Sequence, residues 1–223
     1  MKSKVVAMIP ARLGSQRLKK KNLEFFGDCT LIEHAIQRCK AANVFDEIYV
    51  NSESLVFKKY ADANDISFYH RDKKLGNNIA TSEDFVFDFL NNIDCEHLYQ
   101  IHSITPLLGV REIKNFYNFC EHNLQFDTVL SCIEDQIEVA FENKPINFIT
   151  NQKTNSQDLR PMQRITWSAT KWNKNSFINS VKAGLTGTYS GNIGYYAVGA
   201  FSGLAIKTLE DLKIANTLRD LIR

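Results

Sequence analysis

Residues 5–22 read VVAMIPARLGSQRLKKKN. The first five are apolar without alternation, which predicts a short strand over Val5–Ile9 buried on both faces, the pattern of a parallel sheet. Pro10 ends it. The loop that follows carries five cations and no acid: Arg12, Arg17, Lys19, Lys20 and Lys21. Gly14 lets the backbone turn and approach a ligand, and Ser15 and Gln16 are hydrogen-bond donors. A loop leaving the carboxyl end of a buried parallel strand stands where open α/β sheets bind ligands. Backbone amides combined with Arg and Lys suit a triphosphate. Nucleotidyl transfer needs such a loop, because negative charge moves onto the pyrophosphate leaving group in the transition state. A charge run by itself is more often a solvated turn; the buried strand before it, with Gly14 and Ser15 inside it, favours phosphate binding. The GxxxxGK[ST] pattern is absent, so this is not a Walker A loop.

Outward from that loop, strand and helix alternate. Leu31, Ile32, Ala35, Ile36 and Cys39 recur at helical spacing, and strands are expected at 47–50, 66–69, 97–101 and 128–132. Helices are expected over 55–63, over 110–120, and from a Thr81–Asp84 capping box through Leu90. This rhythm implies right-handed βαβ crossovers. The expected fold is a single α/β domain, Rossmann-like, with a mostly parallel sheet and helices on both faces. After Glu134 the rhythm breaks. Residues 141–149 read as a hairpin, 151–158 as a polar loop, 167–175 as an aromatic and basic stretch, and 191–198 as a strand. Thr208-Leu-Glu-Asp211 opens a last amphipathic helix carrying Leu212, Ile214, Ala215, Leu218 and Leu221. A smaller irregular lobe is therefore expected over 134–190.

A chain of 223 residues suits one such domain and is short for two. Its net charge of +2 decides nothing about a polyanionic partner, so electrostatic arguments must be local. The five cysteines are spread, odd in number and without CxxC spacing, which fits reduced thiols in the cytoplasm better than a disulfide frame or a zinc site. The opening MKSKVVAMIPAR fits neither a signal peptide nor an anchor, and no apolar run approaches membrane-spanning length.

The segment IPARLGSQRLKKKNL resembles the opening of the CMP–sugar-acid synthetases, the acylneuraminate cytidylyltransferase family: a strand, PAR, a glycine-serine turn, a basic stretch and KNL. The matching positions are Pro10, Ala11, Arg12, Gly14, Ser15, Lys21, Asn22 and Leu23, with Gln16 where the family often has Lys. Fainter likeness continues at FDEIYVNSES, with Asn51, Ser52 and Glu53 at a turn, at Arg71 and Ser82, at Ser156–Leu159 with Asn155 in place of Arg, and at TLEDLKIA from Thr208.

The resemblance implies a nucleotide-diphospho-sugar-transferase-like fold, a homodimer built on the irregular lobe, and transfer of CMP from CTP to a nine- or eight-carbon α-keto sugar acid. It implies that Arg12, Leu13, Gly14, Ser15, Arg17 and Lys21 hold the triphosphate, with Arg12 and Lys21 catalytic. Asn22, Asn51, Arg71, Ser82 and His102 would place the cytidine, and Gln157 would lie toward the sugar-acid pocket. Mg²⁺ is expected for such a reaction. Two departures bear on it. His102 and Leu108 stand where the family's QPTSPLR-like segment has Gln and Arg. Ala205 and Lys207 stand where it has the two metal-binding aspartates. Lys207 replaces the metal's charge, or Glu53 or Asp211 holds the metal instead, or the chain binds nucleotide without turnover. For Asp211 a role as the N3 member of the Thr208 capping box competes.

His102, at the end of a central strand, either reads the base, serves as an acid/base, or is a satisfied buried histidine. Arg160, Arg164, Lys171 and Lys174 flank Trp167 and Trp172. Arg164 and Lys171 are candidates for an acceptor's carboxylate, while the modest net charge disfavours a nucleic-acid surface. A different small acidic acceptor would leave the chemistry unchanged.

Overall fold

The computed structural model describes residues 4–221. Seven strands form one central sheet: β1 (Val5–Pro10), β2 (Glu47–Ser52), β3 (Ser67–His70), β4 (His97–Ile101), β5 (Thr128–Asp135), β6 (Met162–Asn173) and β7 (Ile193–Ala197). Their order across the sheet is β7-β5-β6-β4-β1-β2-β3. β1 pairs in parallel with β2 and β4, β2 with β3, and β5 with β7. Only β6 runs antiparallel, wedged between β4 and β5. The sheet is thus mostly parallel, as the apolar, unalternating β1 implies.

That strand shows why. Val5 and Ile9 face the core shared with α1 (Leu31–Ala42), α2 (Lys58–Asp62) and α4 (Val110–His122). Val6 and Met8 face the core shared with α3 (Ser82–Asn92) and α5 (Lys174–Lys182). Both faces of the strand are covered, so a polar residue on either would be stranded. The last helix, α6 (Leu209–Leu221), packs through Leu212 and Ala215 on Phe26, Leu31, Leu107 and Ile206. The side chain of Leu221 lies outside the described residues.

The capping boxes read from sequence form. Thr81 N donates to Asp84 Oδ2 at 2.7 Å and Asp84 N to Thr81 Oγ1 at 3.3 Å, opening α3. Thr208 N donates to Asp211 Oδ2 at 2.8 Å and Asp211 N returns to Thr208 Oγ1 at 3.2 Å, opening α6. The helix expected over 55–63 is shorter, because Leu55–Phe57 is a 3₁₀ turn that precedes α2.

The largest difference lies in the stretch expected to be irregular. Residues 162–173 form the longest strand of the sheet, and Asn173 caps α5 by accepting from Ser176 N at 3.1 Å. The excursion from the sheet is confined to 136–161. It holds a small hairpin, Ala140–Phe141 against Lys144–Pro145, and one 3₁₀ turn at Ser156–Asp158. The aromatic and basic stretch is a strand because its Trp and Thr side chains suit a pleated surface. Its alternation is hidden by a register shift between Ile165 and Thr170, where Trp167 takes φ 59°.

Candidate active site

The strand order reverses between β1 and β4, and the crevice outside their carboxyl ends is the ligand position of an open α/β sheet. Four chain segments meet there. Ala11 N donates to Asn51 O at 3.0 Å, holding the exit of β1 to the end of β2. Arg71, just past β3, is 3% exposed and reaches across: Nη2 donates to Ala11 O at 3.0 Å and to Glu53 Oε2 at 2.9 Å, and Nη1 to Asn51 Oδ1 at 3.3 Å. Its guanidinium also lies 4.7 Å from the centre of the Phe85 ring. Glu53 Oε1 accepts from Leu13 N at 2.9 Å. Arg12 Nη1 donates to Asn77 O at 3.1 Å, linking the cationic loop to the segment before α3.

The cationic loop is anchored from below. Asn22 is buried; its Nδ2 donates to Arg12 O at 3.0 Å and its Oδ1 accepts from Ser103 Oγ at 2.8 Å, just past β4. Lys21 Nζ donates to Ile206 O at 2.9 Å. Burial, and then the charges of Arg17 and Arg12, push the Lys21 ammonium down to about 8. Around Gly14 there is open space, so a ligand can approach the backbone.

His102 N donates to Ser168 O at 3.1 Å. Its Nε2 lies 2.7 Å from the amide nitrogen of Gln100, which donates to it in the tautomer protonated at Nδ1. Burial and the Lys21 charge lower its pKa to about 4, so the ring is neutral near pH 7. His102 and Trp167 stand between two clefts. One, of about 500 Å³, is lined by Ser82, Gln100 and Tyr189. The other, of about 690 Å³, is lined by Arg164, Phe201, Ala205, Lys207 and Asp211.

Arg12, Leu13, Lys21, Asn22, Asn51, Arg71, Ser82 and His102 are therefore brought to one edge of the sheet, with Gly14, Ser15 and Arg17 on the same loop. Two expected acceptor residues are not. Lys171 is 1% exposed, and its Nζ donates to Phe126 O at 2.9 Å toward the amino ends of β4 and β5, the opposite edge. Gln157 is exposed on the excursion, where its carbonyl accepts from Gln136 Nε2. Arg164 does line the larger cleft, paired with Asp135 at 2.5 Å.

The donor set does not suit Mg²⁺, which takes oxygen ligands and usually one or two carboxylates. Ala205 offers no side-chain oxygen, and Lys207 brings a cation. Asp211 is engaged by Lys207 N and Thr208 N, both at 2.8 Å. Glu53 is held by Arg71 and Leu13 N. Among the described residues no three His, Cys, Asp or Glu side chains cluster as a metal site.

Some residues that shape the site escape a reading of motifs. Arg38, in the middle of α1, is 4% exposed and donates to Thr105 O at 2.9 Å, Leu108 O at 2.5 Å and His102 O at 3.4 Å. It braces the whole turn after β4. The signal available was an arginine amid the apolar positions of α1. Trp167 owes its place to the register shift, which sequence does not announce.

Comparison with known proteins bears on this geometry. A family model described as cytidylyltransferase matches residues 6–216. An N-acylneuraminate cytidylyltransferase of Streptococcus agalactiae serotype III (strain NEM316) is 28% identical over 121 residues, 52% of this chain and 29% of that protein. The chain thus spans less than a third of that relative's length. A pseudaminic acid cytidylyltransferase of Campylobacter jejuni (strain 81-176) is 28% identical over 172 residues, covering 70% of this chain and 72% of that one. In fold, the chain is similar to a CMP:2-keto-3-deoxy-manno-octonic acid synthetase complexed with CTP, with TM-score 0.72, 14% identity, and 99% and 100% of the two chains covered. It is similar also to a 4-diphosphocytidyl-2C-methyl-D-erythritol synthase from Anaerococcus prevotii, with TM-score 0.70, 14% identity, and 98% and 99% covered.

Proposed function

Because the chain belongs to the cytidylyltransferase family, we propose that it transfers CMP from CTP to a sugar acid, a sialic-acid-like nonulosonate or a similar α-keto acid, releasing pyrophosphate. The observation that carries this reading is Lys21: a desolvated ammonium, with Arg12 and Arg17 within electrostatic reach, at the crevice where the strand order reverses. Such a group stabilises charge that develops on a leaving pyrophosphate and costs no reorganisation at that moment. The names of the two bacterial relatives support CTP as donor and a nonulosonate as acceptor.

In this reading Arg12, Leu13, Gly14, Ser15, Arg17 and Lys21 hold the triphosphate. Asn22, Asn51, Arg71, Ser82 and His102 surround the cytidine, His102 as a neutral hydrogen-bonding group. The acceptor lies in the cleft of Arg164, with its carboxylate toward that guanidinium. Ala205 and Lys207 offer Mg²⁺ no carboxylate, so the charge on the triphosphate falls to the cations of the loop. The chain works as a cytoplasmic homodimer. Its five cysteines, all free, support the compartment. The exposed Ile137, Phe141, Ile146 and Ile149 on the 136–161 excursion support the dimer.

The test is pyrophosphate release from each nucleoside triphosphate across a panel of sugar acids and other small acids. CTP with one nonulosonate should stand out, and Lys21→Ala should cut turnover about 100-fold. Pyrophosphate release untouched by Lys21→Ala would overturn the assignment. Ala205 and Lys207 favour a rival, a chain that binds CTP without turnover. CTP binding with no pyrophosphate release from any acceptor would establish that rival.

A further inference from the structure

The segment 205–207 holds two ammonium groups where carboxylates would be needed for a divalent cation. Lys21 Nζ is docked on the carbonyl of Ile206 at 2.9 Å. Lys207 is the next residue, exposed and lining the larger cleft, and its charge is felt at Lys21. Asp211 is the acid closest to this cluster in electrostatic effect, and its Oδ2 is committed to the backbone N–H groups of Lys207 and Thr208.

This arrangement is built rather than incidental. The carbonyl that receives Lys21 is fixed by Ile206 N donating to Ile104 O at 2.7 Å, and the Ile206 side chain is fully buried under α6. Lys21 itself follows Lys20, which takes the left-handed conformation with φ 53° and opens a 3₁₀ turn at Lys21–Leu23. The ammonium is thereby held against a carbonyl dipole, while two of its protons remain free for anionic oxygens. Lys207 opens the first turn of the α6 cap, so its position along the backbone is pinned by the Asp211 hydrogen bonds.

We propose that Lys21 and Lys207 together take the place and the charge of the divalent cation, so that this chain binds CTP and releases pyrophosphate without a metal ion. The inference rests on the cytidylyltransferase reading above. In the step it serves, the acceptor's anomeric oxygen forms a bond to the α-phosphorus. The bond from that phosphorus to the bridging oxygen breaks, its electron pair stays on the pyrophosphate, and the hydroxyl proton ends there too. Two unit charges face the departing group, as one divalent ion would. They differ from a metal in being covalently tethered to the chain, and the charge on Lys21 is lost as pH rises through about 8. A metal arriving at this position would meet two like charges, and Oδ2 of Asp211 is already taken by the N–H groups of Lys207 and Thr208.

The experiment is CTP titration by calorimetry, once in EDTA and once in Mg²⁺, on the full chain and on two variants. The wild-type affinity is expected to agree within about twofold between the two conditions. Lys207→Ala should weaken CTP binding in EDTA by about 10- to 100-fold, the scale of a lost charge-assisted contact. Because Lys207 is exposed, that variant should keep its circular-dichroism spectrum and melting temperature. The double variant Ala205→Asp with Lys207→Asp should invert the behaviour, binding CTP weakly in EDTA and tightly in Mg²⁺. Wild-type binding that appears only with Mg²⁺ overturns the proposal and leaves the cytidylyltransferase reading standing. Binding of no CTP in either condition overturns that reading, and the proposal with it. Equal affinity of wild type and Lys207→Ala in EDTA likewise overturns it.

Discussion

Arg71 Nη2 lies 2.9 Å from Glu53 Oε2, and this ion pair is almost closed to solvent, with 2% and 10% of the two side chains exposed. It joins the ends of β2 and β3. Through the second oxygen of Glu53 it also fixes Leu13 N in the loop leaving β1. The crevice therefore takes its shape from a carboxylate and a guanidinium that three segments share.

Glu53→Ala should destabilise the fold by about 3–5 kcal/mol, because it leaves Arg71 as a buried charge with its partner gone. Urea denaturation with unchanged slope and a lowered midpoint is the expected record. A midpoint equal to wild type would show that the pair contributes nothing.

Gly76→Ala should act on the same pair from outside. A methyl at Gly76 would come within 2.3 Å of Glu53 Cγ, and that carbon cannot swing away while both of its carboxylate oxygens are engaged. The expected cost is about 1–3 kcal/mol. The two changes should be non-additive, since removing Glu53 also removes the clash. Strict additivity in a double-mutant cycle would refute the contact.

Lys21 should give CTP binding a basic limb. Its pKa is depressed to about 8 from 10.5, so the free protein loses this ammonium as pH rises through 8. kcat/KM for CTP should fall over that range, and Lys21→Arg, which does not titrate there, should lack the fall. The sign for stability is opposite. Between 8 and 10.5 the unfolded chain holds the proton that the folded one has released, so raising pH across that window stabilises the fold. A profile flat to pH 9 in both proteins would count against the assigned environment of Lys21.

Arg164→Ala should separate acceptor from donor. Its side chain is 59% exposed, so losing the Asp135 pair should change stability by less than about 1 kcal/mol. KM for the sugar acid should rise about 10-fold or more, with the CTP affinity unaltered. An unchanged KM would remove Arg164 from the acceptor cleft.

Apart from the 3₁₀ turn at Leu55–Phe57, the elements named up to Cys132 were legible because each carries a clean pattern. Val5–Ile9 is uniformly apolar, α1 repeats at helical spacing, and Thr81 and Asp84 announce α3. The strand at 162–173 was not legible. Ser168, Thr170 and Lys171 are polar yet buried, since the strand lies inside the sheet; Ser168 Oγ donates to Ser202 O at 2.8 Å, while Thr170 Oγ1 is buried with no hydrogen-bond partner among the described residues. For the same reason Lys171, which looks like a surface cation in sequence, ends on a backbone carbonyl in the interior. At the site, the cationic loop could be read from its composition. The Glu53–Arg71 pair, the brace of Arg38 and the position of Trp167 depend on contacts between residues far apart in the chain, which no local pattern records.

The late, reversed strand β6 has a consequence for how the molecule comes to be folded. β4 and β5 are both complete by residue 135, yet they never touch as partners; each waits for a strand that ends at Asn173. Until then two apolar strands present open hydrogen-bonding edges, a state prone to mispairing with other chains. Joining the two sides of the sheet should thus be a late event, in which amides of β4, β5 and β6 gain protection together in pulse-labelled hydrogen exchange while β1 and β2 are protected earlier. Protection of β5 before β6 would contradict it. A nascent chain halted before residue 162 would carry the whole cationic loop and still expose the unfinished seam of its own sheet.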